Sequence, residues 1–202
     1  MKQPTEGPRA RYRKQVRDEV QSRAWEQIGK DGVSALSLKA IAAQMGMTAP
    51  ALYRYYSSRD ELLTELILSA YQDLAECAEA AVDDGRPPAR RLDDIAVMLR
   101  AWAVAQPQRY LLLYGTPVPG YHAPDVATEL ARRIFAPIQA GFGQLQNDSE
   151  SPLTWAFHRS VTFWSRLHGV LSLELAGHFV GMDVDPGQLY LDEVRSLVGV
   201  FD

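Results

Sequence analysis

Ser37 to Arg59, SLKAIAAQMGMTAPALYRYYSSR, carries the spacing of two short helices joined by a tight turn. Leu38, Ile41, Ala42 and Met45 recur at i, i+3, i+4 and i+7, which makes one helical face apolar, and Ser37 stands where an N-cap belongs. Gly46 ends that helix. Thr48 can cap a second one, with Pro50 in its first turn, where a missing N–H costs little. Leu52 and Tyr56 then point back to the same core. Ala49, Pro50, Tyr53 and Arg54 are left facing outward.

A helix of barely two turns, small at its N-terminal end with Tyr and Arg beyond, suits a DNA major groove. The pattern is a helix-turn-helix. Over about residues 10 to 70 the chain resembles the N-terminal DNA-binding domain of TetR-family transcriptional regulators, through SLKAIAAQMGM, the LYRYY of Leu52 to Tyr56, and the SSRDELL that opens the next helix. The family usually carries Lys at the position of Arg59. By position, the resemblance implies Thr48, Ala49, Pro50, Ala51 and Tyr53 at or near base edges, and Ser37, Lys39, Tyr55 and Arg59 on phosphate. Tyr55 can equally be partly core beside Tyr56. Alanine at 49 and 51 replaces polar residues common in relatives, which offers thymine methyl contacts or leaves the base edge to Tyr53 and Arg54.

Charge divides the chain the same way. Residues 1–60 hold 11 Lys and Arg against 6 Asp and Glu, a net of +5; residues 61–202 hold 10 against 19, a net of −9, which together give the chain's −4. A basic head on an acidic body fits phosphate contact at one end only. No run of 18 apolar residues exists and no hydrophobic segment follows MKQPTEGPRARYRKQ, so neither a membrane span nor a signal peptide is expected and the predicted location is cytoplasmic.

Residues 1–8, with Pro4, Gly7 and Pro8, are expected to be a disordered tail. Arg9, Arg11, Arg13, Lys14 and Arg17 then form either a solvated face or the phosphate-tracking start of helix 1. Val16, Val20, Ala24 and Ile28 make a stripe at i+4 that packs on the helix-turn-helix, and Asp31-Gly32 closes the helix. Ser58 and Glu61 have capping-box spacing. From there a connecting helix, about 58–81, runs through Leu62, Leu63, Leu66, Ile67, Ala70 and Leu74 to the break DDGRPP at 83–88. The expected domains are thus a DNA-binding unit at 9–58 and a ligand-binding and dimerisation unit at 82–202.

The body has helical periodicity throughout, so the fold class is all-α, about nine helices in total. Leu92, Ile95, Ala96, Leu99, Trp102 and Ala103 share a face; Pro107 opens a short helix to Gly115; TPVPGYHAP at 116–124 is loop; a helix from Asp125 to about Gln146 contains Pro137. Gln146 to Ser151 is polar loop. The helix opened by Pro152 and one over 187–201 carry more apolar surface than one buried side needs. Either they lie wholly in a core or, as the resemblance implies, they pair across a twofold axis. The candidate interface is Val161, Trp164, His168, Leu171, Val194, Leu197 and Val198.

WSRLHG at 164–169 and AWAVAQPQRYLLLYGTPVPGY at 101–121 resemble the body domain of a TetR subgroup named for its Trp, His and Gly. His168-Gly169 is expected to be a satisfied core imidazole beside a close helix crossing, or else a ligand contact. A cavity lined by Met98, Trp102, Tyr110, Tyr114, Phe135, Phe142 and Phe157 would take an unknown small-molecule effector, the alternative being ordinary core aromatics. Such a lining suits a flat apolar molecule; Arg100, Arg159 or Arg166 turned inward would favour an anion instead.

No catalytic set emerges. His122, His158, His168 and His178 show no metal-ligand spacing, and Cys77 alone builds neither a disulfide nor a zinc site, so no metal and no cofactor are expected. Gly141-Phe142-Gly143 lacks the third glycine and the strand of a dinucleotide loop. The implied function is a ligand-responsive regulator, a repressor by the family's commoner mode, that binds a palindromic double-stranded DNA operator as a homodimer. The rival functions are an activator without small-molecule gating, a helical protein-interaction module, or an enzyme on the helical body.

Overall fold

The computed structural model describes residues 7–82, 85–145 and 152–199, and among them every regular element is helical. Residues 1–6 of the expected tail, Asp83-Asp84, the loop at 146–151 and residues 200–202 lie outside the described residues. The chain divides into two compact units, one of residues up to Ile67 together with 117–123, the other of 68–116 and 124 onward.

In the first unit, α1 (Pro8–Asp31) buries Val16, Val20, Ala24 and Ile28, and Gly32 closes it at φ +78°. A 3-10 turn (Val33–Ala35) leads to α2 (Leu38–Gln44). Ser37 caps α2: its Oγ accepts the Ala40 N–H at 3.3 Å while its own N–H donates to Gln27 Oε1 of α1 at 3.1 Å. Such a cap contributes about 1 kcal/mol. Gly46, at φ +66°, turns the chain into α3 (Ala49–Leu52), one turn long, capped by Thr48 Oγ1 at 3.4 Å from the Ala51 N–H. Leu38, Ile41, Leu52 and Tyr56 are buried, as are Leu62, Leu63 and Leu66 in the first turns of α4 (Arg59–Ala80).

The capping box of α4 forms with a shift of one residue. Ser58 Oγ accepts the Glu61 N–H at 3.1 Å, but the Glu61 carboxylate reaches Ser57, accepting its N–H and hydroxyl at 2.6 Å each. The loop before α7 joins this unit: Tyr121 and Thr64 hydroxyls lie 3.0 Å apart.

The second unit begins inside α4, with Leu74, Ala75 and Ala78 buried. Around them stand α5 (Pro88–Ala105), α6 (Pro107–Tyr114), α7 (Asp125–Leu145), α8 (Pro152–Leu175) and α9 (Pro186–Val198). Their buried stripes, among them Leu92, Leu99, Ile138, Phe163, Leu167 and Val194, form a single core. At the α5–α7 crossing a Cβ on Gly141 would sit 2.9 Å from Leu92 Cδ2, so any larger residue would have to displace the buried Leu92 side chain. That explains Gly141 as packing, whereas a Cβ on Gly143 would meet nothing within 4 Å. Asp73 of α4 gathers three donors on one oxygen: Trp102 Nε1 at 2.8 Å, Gln106 Nε2 at 3.1 Å and Arg109 Nη1 at 3.0 Å. The α5–α6 corner is thereby pinned to α4.

Candidate nucleic-acid interface and effector cavity

In the first unit, α3 is held from below by Leu52 and Tyr56, so its other face is open. Thr48, Pro50, Tyr53 and Arg54 are exposed there, Ala49 and Ala51 half-buried, and Lys39 is exposed on α2. Tyr53 is 49% exposed, too much for a core tyrosine and suited to a hydroxyl that meets a phosphate or a base.

Three neighbouring arginines are spent on the fold. Arg17 pairs with Glu65, donates to the Tyr55 carbonyl at 3.0 Å and lies 4.4 Å over the Tyr56 ring. Burial pushes the Tyr56 phenol up to about 12, so it stays neutral. Arg13 lies over the Tyr55 ring at 5.6 Å. Arg59 donates Nη2 to the Val33 carbonyl at 2.8 Å and Nε to the Leu36 carbonyl at 3.2 Å, closing the exposed end of the 3-10 turn.

In the second unit, a cavity of about 330 Å³ opens between α6, α7 and α8, lined by Tyr114, Thr128, Ala131, Arg132, Phe135 and Trp164. Its rings stand edge to face, Tyr114 to Trp164 at 5.8 Å and Phe135 to Trp164 at 6.2 Å. Behind them lies His168, 4.1 Å from the Trp164 ring and 4.4 Å from Tyr114. Tyr110 stacks on the imidazole at 5.4 Å and meets its Nδ1 through the hydroxyl at 2.9 Å, with Ser172 Oγ at 3.2 Å. Burial among these rings lowers the imidazole to about 4, so it is neutral at pH 7. Its Nε2 is buried without a hydrogen-bond partner among the described residues.

Comparison with known proteins decides the family. Residues 22–66 match the domain described as "Bacterial regulatory proteins, tetR family", and residues 92–197 match "Tetracyclin repressor-like, C-terminal domain". The chain is 38% identical to the HTH-type transcriptional regulator Rv1816 of Mycobacterium tuberculosis, over 96% of this chain and 95% of that protein. This chain belongs to the TetR family. Its fold superposes on the crystal structure of the protein SCO4313 with a TM-score of 0.84 at 48% identity, covering 95% of this chain and 98% of that one. A likeness of fold alone extends to PfmR, a TetR-family regulator of Thermus thermophilus, with a TM-score of 0.68 at 15% identity over 92% of this chain and 100% of that one. TetR-family proteins are transcriptional regulators, so the enzyme alternative falls away.

Within this TetR-family chain the expected site residues fall into distinct places. Of the phosphate set, Lys39 is exposed, whereas Ser37 is an N-cap, Tyr55 is half-buried under Arg13, and the donors of Arg59 are turned to backbone carbonyls. Arg59 is a strap: it adds a second donor to the Val33 carbonyl, which already accepts the Leu36 N–H at 3.2 Å, and ties the Leu36 carbonyl beyond the turn.

Of the expected cavity residues only Tyr114 and Phe135 line the cavity. Trp102, Tyr110 and Phe142 are core, Met98 packs against that core, and Phe157, half-exposed, leans its ring on the edge of Phe135 at 6.2 Å. The expected interface also separates. Leu171, Val194 and Leu197 are buried within their own unit and have no surface to give a second copy; Val198 is half-buried, Trp164 lines the cavity and His168 lies behind it. Val161 is 40% exposed on α8. Gly169 makes no close crossing, since a Cβ there would meet nothing within 4 Å.

Thr128, Ala131 and Arg132 were not singled out from sequence, although with Phe135 they fall at helical spacing on one face of α7. Asp73 was missed for want of any sequence signal. A second cleft of about 240 Å³ lies between α5 and α9 beside Arg100 and Tyr190. Among the described residues no group of three His, Cys, Asp or Glu could hold a metal ion, and no helix is long and apolar enough to cross a membrane.

Proposed function

We propose that this chain is a ligand-released repressor that binds a palindromic DNA operator as a homodimer. The observation that carries the proposal is α4. It begins in the core of the helix-turn-helix, through Leu62, Leu63 and Leu66, and ends in the core of the cavity-bearing unit, through Leu74 and Ala78. The α6 that supplies Tyr114 to the cavity also supplies Arg109 to Asp73 of α4. An occupant that moves Tyr114 therefore pulls on α4 and alters the separation of the two recognition helices, which must match one turn of DNA, about 34–36 Å.

Lys39, Thr48, Pro50, Tyr53 and Arg54 form the DNA face, with Ala49 and Ala51 close enough to the surface for methyl contacts. The dimer face is the outer ridge of α8. Phe157, Val161, Ser165, Gly169 and Leu173 recur at i+4, the row that interdigitates when two helices cross, and Ser165 and Gly169 permit close approach at its centre. One short recognition helix binds weakly; two linked copies gain affinity by effective concentration.

The test is selection of bound sequences from a random duplex pool by the purified full chain, then titration of the best sequence against a scrambled one. An inverted repeat with half-sites one turn apart supports the proposal. Equal, weak binding to both duplexes overturns it and leaves the interaction-module function. An operator complex that activates transcription in a reconstituted assay would replace repressor by activator.

A further inference from the structure

The effector assignment leaves the chemistry of the effector open, and the cavity wall narrows it. We propose that the cavity selects an uncharged, planar aromatic molecule of one or two rings and rejects carboxylates and ammonium ions. This rests on the cavity's being the effector site.

Shape comes first. Tyr114, Phe135 and Trp164 present ring faces and edges at interplanar angles of 77° and 81°, an arrangement that receives another ring edge to face. An apolar cavity of ~150 Å³ holds benzene, so about 330 Å³ accommodates two fused rings.

Charge comes second, because each arginine that would attract an anion is occupied elsewhere. Arg100 is bound to Glu174 at 2.6 Å. Arg159 donates to the Leu197 carbonyl and lies 5.7 Å from the Phe142 ring. Arg166 donates to Glu193 and Ser196, both at 3.2 Å. Arg132, the one charged residue of the wall, is 72% exposed and pairs with Glu129 at 3.0 Å, so it stands at the mouth, where water and salt screen its charge. His168 behind the rings is neutral at pH 7. A carboxylate seated among the rings would give up part of its water and find no counter-charge against them, and an ammonium ion would find no carboxylate there. Tyr114, held neutral by burial, supplies a phenol able to bond a hydroxyl or carbonyl on the guest.

The experiment titrates the full chain at pH 7 with 2-naphthol, naphthalene, naphthalene-2-carboxylate, 2-naphthylmethylammonium and decanoate, by calorimetry and tryptophan fluorescence. The neutral pair is expected to bind at least ~30-fold more tightly than either naphthyl ion. Tyr114→Phe weakens 2-naphthol about fivefold and leaves naphthalene unchanged. Ala131→Trp fills the cavity and abolishes both; if its melting curve shows misfolding, Thr128→Trp at the exposed rim is the substitute. Equal or tighter binding of the carboxylate, the ammonium ion or decanoate, no binding of any probe, or binding indifferent to the filling variants would each overturn the proposal. A gel-shift titration with the selected operator separates this from the gating assignment. Naphthol that binds without releasing DNA sinks gating and spares the ligand class, whereas release by the carboxylate alone does the reverse.

Discussion

The first unit and the second unit use arginine alike and expose opposite surfaces. Around the helix-turn-helix, Arg13, Arg17 and Arg59 are tied to a ring, a carboxylate and backbone carbonyls, yet Lys39 and Arg54 stay exposed at the surface beside Tyr53. In the second unit, Arg100, Arg159 and Arg166 are tied just as firmly, and the cavity wall holds no cation except Arg132 at its mouth. Net charge therefore marks a face only where the side chains are not already engaged. One unit keeps exposed cationic side chains; the other keeps an apolar, ring-lined cavity.

The contrast breaks most severely where the units depend on each other. Gly169→Arg places a charge at the centre of the α8 ridge without touching the head, and the expected outcome is monomers in sedimentation and roughly a 100-fold or greater loss of operator affinity. Unchanged affinity would mean that the two copies meet elsewhere or not at all.

Acid should act on the second unit. His168 is lowered in the folded state to about 4 against its ordinary 6.5, so the fold binds fewer protons than the unfolded chain, and the stability this provides is complete above pH 6.5 and lost as pH falls toward 4. Up to roughly 3 kcal/mol is at stake. His168→Phe should flatten that slope in denaturant titrations between pH 6.5 and 4.

Arg59 sharpens the comparison within the head. Arg59→Ala removes two charge-assisted bonds to the Val33 and Leu36 carbonyls, and about 2 kcal/mol of local protection should disappear from the α2 amides in hydrogen exchange, with the salt slope of DNA binding unchanged. A slope flattened by about one would return Arg59 to the phosphate backbone.

Asp73→Asn keeps the shape of the α4 hub while removing its charge, and is expected to shrink the effector's influence on operator affinity by about 1 kcal/mol with probe binding intact. The smallest effect belongs to Lys39→Ala, which should lower the magnitude of the logarithmic salt slope by about 0.9 and barely change stability. These last two variants should be silent in each other's assay.

Most of the helical order was legible in the chain because amphipathic spacing, caps and breaks are local properties. Val16 to Ile28, Leu38 to Met45 and Leu92 to Ala103 declared their faces by period alone, and Gly32, Gly46 and the prolines declared the ends. The motif at Ser37 to Arg59 went further, since its short helix had to expose whatever it did not bury. Periodicity could not separate a core ring from a cavity ring. Trp102, Phe142 and Trp164 look alike in sequence, and only the packing of α5 to α8 decided that two of them fill the interior and the third borders a cavity.

Long polar side chains were the other blind spot. The several rotatable bonds of an arginine let one backbone position serve a phosphate, a carboxylate or a carbonyl, so Arg59 and Arg166 had no readable partner until the carbonyls of the 3-10 turn and Glu193 were placed beside them. The sequence by itself determined which residues are helical and which unit meets DNA, because those follow from spacing along one chain. Tertiary structure decided which rings leave a gap, which charges remain unspent and which face of α8 stays open, because each depends on neighbours that are distant in sequence and near in space.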